Sequence, residues 1–427
     1  METVRYGSRG VPVTLLQLAL KRAGQYKADI DGVFGTRTLN AVRRFQTANG
    51  LKPDGVAGAL TRDKAEPYLL GFRNYKLKQG DTFFRLAGRY GITPGAIAAA
   101  NPSLDPAELP VGGEIILPMD FAVVPTCVPY SSILLEYVIR GLTVRYPFIG
   151  LETLGRSVLG SPVRALKMGE GRRELFINAA HHANEWITSP LTLDFLETYA
   201  KAFVEKGTLS GKSAAGFHAA VTLYIAPMVN PDGVDLVNGA VSPEVYGQAL
   251  DVAAAFPNVP FTEGWKANIA GTDLNLNYPA EWEKAREIKF ALGYDKPAPR
   301  DYVGEAPLSA KESRALYEFT LKHDFALTVS YHTQGEEIYW KFGDIEPEGA
   351  REIAENMAAV SGYSIADVPY ESGFAGYKDW FILETKKPGF TIEAGRGVNP
   401  LPLSQYDRIR QDNFPLMAAA MEAAVQK

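Results

Sequence analysis

Cysteine is almost missing from this chain. Cys127 is the single one in 427 residues, which excludes internal disulfides and any metal cluster built on several thiolates, so stability must come from ordinary cores. Long apolar runs are missing too. No stretch approaches the roughly 18 consecutive apolar residues that a membrane-spanning helix needs, and no membrane span is expected. The opening METVRYGSRGVPVTLLQLAL has no basic-then-apolar leader with a small-residue cleavage site, so no signal peptide is expected. Pro12, Thr14 and Gln17 break its one apolar run, which reads as a first helix. Histidine is scarce: His181, His182, His218, His323 and His332 are all there are.

What remains is ordinary globular composition, 46% apolar and 22% charged, with length for two or three domains. The net charge of −5 is unevenly spread: residues 1–120 carry 16 Lys and Arg against 11 Asp and Glu, a net +5, and the rest carries −10. A mildly basic front suits an anionic surface, and no nucleic-acid partner is expected.

Residues 1–70 hold helical runs broken by Asp-Gly turns. Leu15, Leu16, Leu18 and Leu20 lie in one run; Leu39, Val42 and Phe45 follow at helical spacing, closed by Asn49-Gly50. Asp31-Gly32-Val33-Phe34-Gly35 is echoed 23 residues on by Asp54-Gly55-Val56-Ala57-Gly58. Asp29 and Asp31 raise the question of calcium, but no acidic loop ending in Glu accompanies them, and turn chemistry is the reading. The pattern through Gly7, Gly10, Val13, Leu16, Gln17, Leu20, Asp31, Phe34, Thr38, Val42, Phe45, Gln46, Leu51, Asp54 and Gly58 resembles the peptidoglycan-binding-like helical module.

Residues 74–119 read as strand, helix, helix, strand: Tyr75 to Lys78, a helix after Asp81-Thr82, a second opened by Pro94 and stopped at Asn101-Pro102, then Ile115 to Leu117. Gly80-Asp81-Thr82, Ala87, Tyr90, Ile97, Asn101-Pro102, Gly112 and Ile116-Leu117-Pro118 resemble the LysM domain, which implies binding to N-acetylglucosamine polymers such as peptidoglycan.

From 128 to 427 short apolar strands, Leu175–Ala179, Thr222–Ile225, Ala326–Ser330 and Phe390–Ile392, alternate with helical stretches near 187–206, 309–323 and 346–360. That alternation predicts an α/β fold, a mixed, mostly parallel sheet flanked by helices, behind two small modules, one helical and one βααβ. Four chemically loaded segments follow strand ends: His181-His182, Asn230-Pro231-Asp232-Gly233, His332 and Glu393. Ligands of open α/β sheets bind outside those carboxyl ends, so these residues can converge.

His182 and Glu185 are three apart, a spacing that lets an imidazole and a carboxylate reach one metal ion. His332 from a distant strand completes a two-histidine, one-glutamate set with room for water. His181 is the rival, four residues from Glu185, and side-chain alternation lets only one of the two histidines face the site. No H-E-x-x-H occurs.

The ordered set His182-Ala-Asn-Glu185-Trp186, Asn230-Pro231-Asp232-Gly233, Asp273-Leu-Asn275-Leu-Asn277, His332 and Thr391-Ile392-Glu393 resembles the zinc carboxypeptidase (carboxypeptidase A-like) family over roughly 130–427. The resemblance implies one Zn2+ per chain on His182, Glu185 and His332, which decides against His181. It implies Glu393 as general base, Asp273 as the carboxylate orienting a zinc-bound histidine, and Lys266 after Trp265 as the cation for the oxyanion.

Departures from that pattern carry information. Asn275 is kept, but Leu276 stands where the family has the Arg that grips a terminal carboxylate. Lys378, in Gly376-Tyr377-Lys378-Asp379-Trp380, falls where side-chain preference is set and would favour an acidic leaving residue; a solvated surface charge is its other reading. Tyr370 falls near the family's mobile tyrosine, and Arg396 is a further candidate carboxylate partner. GYKDWF, TIEAGRGVNPLPLSQ and DLNLNYPAEW are similar to the γ-D-glutamyl-L-diamino-acid (meso-diaminopimelate) endopeptidase branch of spore-forming bacteria.

That resemblance implies peptidoglycan hydrolysis at the γ-D-glutamyl–diaminopimelate bond, with glycan strands and stem peptides as partners. The expected location is the cytoplasm, the forespore or spore, or the wall after release. Two alternatives are a carboxypeptidase on free peptide C-termini and a non-catalytic wall or spore-binding protein.

Overall fold

A computed structural model describes residues 2–426, and the chain divides into two compact units. The first holds the residues up to Val128 together with Ile133–Ile149, and the second holds Pro129–Ser132 and Gly150 onward. No helix among the described residues is long and apolar enough to cross a membrane.

The first unit opens with three helices, Val11–Arg22, Thr36–Ala48 and Ala59–Leu70. Two buried glutamines organise it in duplicate. Gln17 Nε2 donates to Asp31 Oδ1 (2.8 Å), Val33 O and Thr38 Oγ1, while its Oε1 accepts from Gly32 N at 2.9 Å. Gln46 does the same with Asp54, Val56, Thr61 and Gly55. The echoed Asp-Gly turns are thus receptors for one amide each, and Asp31 and Asp54 also accept from the backbone two residues on. Gly55 is required there: its φ is +80°, and a Cβ would lie 2.4 Å from Leu39 Cδ1.

Next come antiparallel strands β1 (Phe72–Lys76) and β2 (Glu114–Pro118), bracketing helices Phe83–Tyr90 and Pro94–Ala100. Thr82 and Thr93 cap these helices through their hydroxyls. Leu77, Leu86, Ile97, Ile115 and Leu117 form the small core. Most of helix Ser132–Arg145 belongs to this unit: Arg145 Nη1 donates to Phe121 O at 2.7 Å, and Gly141 lies so close to Leu70 O that a Cβ would sit 2.3 Å away.

The second unit is built on β3 (Gly150–Arg156), β4 (Pro162–Met168), β5 (Arg173–Ala179), β8 (Val221–Ala226), β9 (Phe325–His332), β10 (Glu337–Tyr339), β11 (Ser364–Ile365) and β12 (Gly389–Glu393), with a minor hairpin of β6 (Thr208–Leu209) and β7 (Lys212–Ser213) set apart. Sheet order is β11-β10-β12-β9-β5-β8-β4-β3. The central run β12-β9-β5-β8 is parallel, and antiparallel strands flank it.

Every residue of β8 and β9 is buried, as expected of strands covered on both faces. Helices Thr188–Val204 and Tyr406–Gln426 bury most of their apolar side chains, and Phe176 of β5 stacks on Phe325 with ring centroids 5.2 Å apart. Full burial of such a ring contributes about 1.5–3 kcal/mol.

The anticipated strands are all present. The sheet is mixed and mostly parallel as expected; the individual antiparallel strands at its margins were not located, because partly exposed strands such as β3 carry little apolar pattern. From β5 the chain passes to β8 on one side and returns to β9 on the other. This reversal opens a crevice at the carboxyl ends of β5 and β9, where such sheets bind ligands.

Candidate active site

Three side chains meet in that crevice. Beyond β5 the backbone turns at Ala180 (φ +51°), and a 3-10 turn, Ala183–Glu185, brings Glu185 back under His182. β9 ends on His332 itself. His182 Nδ1 lies 2.9 Å from Glu185 Oε1, His332 Nδ1 lies 3.0 Å from Glu185 Oε2, and the two Nδ1 atoms are 3.1 Å apart. All the candidate ligand atoms fall within 4.8 Å of one another.

The other ring nitrogen of His182 lies 3.2 Å from Asp273 Oδ1, which places a proton on Nε2 and turns the Nδ1 lone pair toward Glu185. Lone pairs of two imidazoles and a carboxylate then face one point, an arrangement that needs a cation or extra protons between them. Burial opposes charge on His182, yet Glu185 and Asp273 push its pKa up to about 9. Burial alone would raise Asp273, but His182 and Lys266 hold it well below the usual carboxylate range. Ligands about 2.0–2.1 Å from a tetrahedral zinc lie roughly 3.3 Å apart, close to the separations found here, and two histidines with a glutamate are a catalytic zinc donor set. The residues fit that ion.

His181 takes no part: it is fully buried, its Nε2 sits 3.1 Å from Tyr278 Oη, and its ring stacks on that of His332. Asn230 is a brace. Its Nδ2 donates to His181 O and Ala267 O, both at 3.0 Å, tying the end of β5 to the segment that carries Lys266. Asp232 accepts from Ser157 Oγ and Leu159 N instead of entering the site.

A cavity of about 560 Å³ opens over the cluster. Glu393, the last residue of β12, lines it and is half-buried. Burial and the charge of Glu185 push its carboxyl up to about 8, although Lys266 and His182 pull the other way. Lys266 also lines the cavity, with Nζ 3.2 Å from Glu185 Oε1. Burial works against its charge, but Glu185, Asp273 and Glu393 raise its pKa overall.

Asn275 lines the cavity and its Oδ1 accepts from Tyr377 N at 3.0 Å, while its NH2 makes no hydrogen bond among the described residues; Leu276 is beside it and buried. Lys378 lines the cavity and is 4% exposed, so it is not a solvated charge; Nζ donates to Lys341 O at 2.7 Å and is paired with the adjacent Asp379.

Two expected residues lie outside the cavity lining. Tyr370 is 65% exposed in the turn Tyr370–Ser372, its ring edge-on to Phe374. Arg396 is drawn to Glu336 by an ion pair and points largely to solvent. Tyr339, Thr333 and Asn399 line it instead. Thr333 N and Asn399 Nδ2 donate to Glu185 at 3.2 and 3.4 Å, holding the carboxylate that two histidines share. Also missed were Lys289, Arg300 and Asp301, which line the cavity on the Asp273 side.

The zinc carboxypeptidase family model matches residues 135–416. The chain belongs to the zinc carboxypeptidase family. It is a metallopeptidase, and the cluster of His182, Glu185 and His332 is its candidate metal site. Models for a peptidoglycan binding domain and a LysM domain match residues 9–64 and 75–118.

The chain is 40% identical over 284 residues to gamma-D-glutamyl-L-diamino acid endopeptidase 1 of Lysinibacillus sphaericus, covering 66% of this chain and 70% of that one. A shorter stretch of 90 residues is 36% identical to the spore cortex-lytic enzyme of Oceanobacillus iheyensis, 20% of this chain and 33% of that one. Among solved structures, carboxypeptidase A from Helicoverpa armigera superposes with a TM-score of 0.53 at 16% identity, over 70% of this chain and 74% of that one, a likeness of fold.

Proposed function

We propose that this family member is a zinc-dependent peptidoglycan hydrolase cleaving the γ-D-glutamyl–meso-diaminopimelate amide of stem peptides, with one zinc on His182, Glu185 and His332. The observation that carries the reading is the convergence of those three side chains at 2.9–3.1 Å beneath a cavity that Glu393 and Lys266 also line. The named bond comes from the likeness to the Lysinibacillus endopeptidase. When bound, zinc supplies Lewis acidity and lowers the pKa of water to about 7.

The chain's own groups do the rest. Asp273 fixes the ring of His182, and Thr333 and Asn399 fix Glu185, so the donor atoms stay aimed. Glu393 takes the proton of the attacking water and delivers it to the leaving nitrogen. Lys266 faces the oxygen on which negative charge develops, as a point charge. Asn275 holds the substrate backbone. Lys378, tempered by Asp379, lends the leaving side a cationic floor.

The two N-terminal modules hold the enzyme on glycan strands, raising local substrate concentration. The likeness to a spore cortex-lytic enzyme supports action at the spore or wall. Leu276 argues against a carboxypeptidase on ordinary C-termini, since an apolar side chain cannot pair a terminal carboxylate.

The test is a digest of defined muropeptides read by mass spectrometry, with zinc present and after chelation. Zinc-dependent release of a diaminopimelate-containing product is expected. Cleavage confined to unblocked L-peptides would refute the reading.

A further inference from the structure

Four cations line the cavity, and three are committed: Lys266 to Glu185, Lys378 to Asp379, and Lys289 to Asp301. Arg300 is different. Its Nε bonds Asp301 Oδ2 at 2.6 Å, but Asp301 Oδ1 already meets Lys289 Nζ at 2.6 Å, so two cations share one carboxylate, with Asp273 the next anion beyond it. The Arg300 side chain is 38% exposed, and among the described residues its Nη groups make no hydrogen bond. A guanidinium held by its Nε and free at both Nη atoms is a preformed fork for a carboxylate.

Its placement is built. Asp301 adopts φ +65°, a left-handed conformation that costs about 1 kcal/mol in a residue with a side chain. That turn lets Asp301 N donate to Asp273 Oδ2 at 3.2 Å while its carboxylate bridges Lys289 and Arg300. The fork is thereby braced against the carboxylate that orients His182. It is also tied to the Lys266 segment, since Pro299 O, one residue before Arg300, accepts from Lys266 N at 2.8 Å.

We infer that Arg300 is a specificity-determining residue that binds the α-carboxylate of the γ-D-glutamyl residue on the acyl side of the scissile amide. The inference rests on the proposed γ-glutamyl substrate. A γ-linked glutamyl residue keeps its α-carboxylate free, separated from the scissile carbonyl by three carbons and flanked by the amide nitrogen, whereas in an α-linked residue that nitrogen sits beside the scissile carbonyl. Lys266, the cation assigned to that carbonyl oxygen, lines the cavity with Arg300 and is bonded through its backbone to the preceding Pro299, whereas Asn275 and Lys378 serve the leaving residue. Diaminopimelate brings carboxylates of its own, and the test separates the two sources.

The zinc-loaded full chain is given a γ-D-glutamyl–diaminopimelate peptide, the same peptide with the glutamyl α-carboxylate amidated, and one with the diaminopimelate carboxylates amidated. Wild type is expected to favour the free glutamyl acid about 10- to 100-fold in kcat/KM, chiefly through KM. Arg300→Ala should erase that preference by weakening only substrates with the free glutamyl acid, and Arg300→Lys should restore part of it. Equal losses on all three peptides, or a loss that follows diaminopimelate amidation, would overturn the assignment.

Calorimetry on the zinc-loaded Glu393→Gln protein, with and without Arg300→Ala, reads the same preference as binding. A binding preference lost with Arg300, in an enzyme that cuts some other bond, would keep the carboxylate site and remove the proposed scissile bond. No preference in binding removes the site.

Discussion

Glu393 lies directly across from His332, the two residues paired in register between parallel strands β12 and β9. Ala394 N donates to His332 O at 2.9 Å and locks that register. The proposed general base and a candidate metal ligand are therefore held by sheet geometry, which a conservative side-chain change leaves intact. Glu393→Gln should keep zinc at one per chain and lower kcat by about 10²–10⁴-fold, the usual contribution of general acid–base catalysis. Metal analysis beside muropeptide turnover checks this; retained turnover would remove Glu393 from its role.

Asp273 gives a different signature. It accepts from three places: its Oδ1 meets His182 Nε2 and Asn275 N, and its Oδ2 takes Asp301 N. Asp273→Ala frees the His182 ring and should weaken zinc affinity about 10- to 100-fold, measured by competition with a chromophoric chelator. Unchanged affinity would make Asp273 a turn residue only.

The contrast between these residues and Arg300 shows what the sequence could reveal. Strands β5, β8, β9 and β12 were legible because burial on both faces demands unbroken apolar runs, and the loaded residues at their ends followed from the sheet. His181 against His182 was an alternation question that residue patterns alone left open, and the turn at Ala180 answers it. Arg300 and Asp301 were invisible: they sit in an irregular segment whose path depends on Pro299 O accepting from Lys266 N and Ala267 N at 2.8 and 2.9 Å, contacts with no sequence periodicity. Tyr370 and Arg396 lie outside the cavity lining in this structure, and motif spacing does not say which way a loop turns its side chains.

In the first unit, Gln17 is 0% exposed and satisfies the turn at Asp31-Gly32 from within the core. Gln17→Leu keeps the volume but strands the buried Gly32 N–H and takes the amide donor away from Asp31, Val33 O and Thr38. The expected loss is about 2–4 kcal/mol from the unfolding transition of this unit, with zinc binding unchanged. Scanning calorimetry of the full chain resolves the two transitions. A fall in the stability of both units together would show that the glutamine turn does not act locally.

Asp235 supplies a pH test away from the candidate metal site. Burial pushes its carboxyl up to about 6, only partly offset by hydrogen bonds from Ser132 N and Oγ. An unfolded Asp titrates near 3.9, so the folded protein holds this proton more tightly. Its contribution is present in full below the unfolded value and is lost as pH rises through about 6, roughly 2–3 kcal/mol in all. Asp235→Asn retains an acceptor for Ser132 but cannot ionise. The stability of the peptidase unit relative to wild type should therefore rise between pH 4 and pH 7, a change read from the difference in calorimetric Tm at the two ends. A pH-independent difference would show that Asp235 ionises in the folded protein as it does in the unfolded chain.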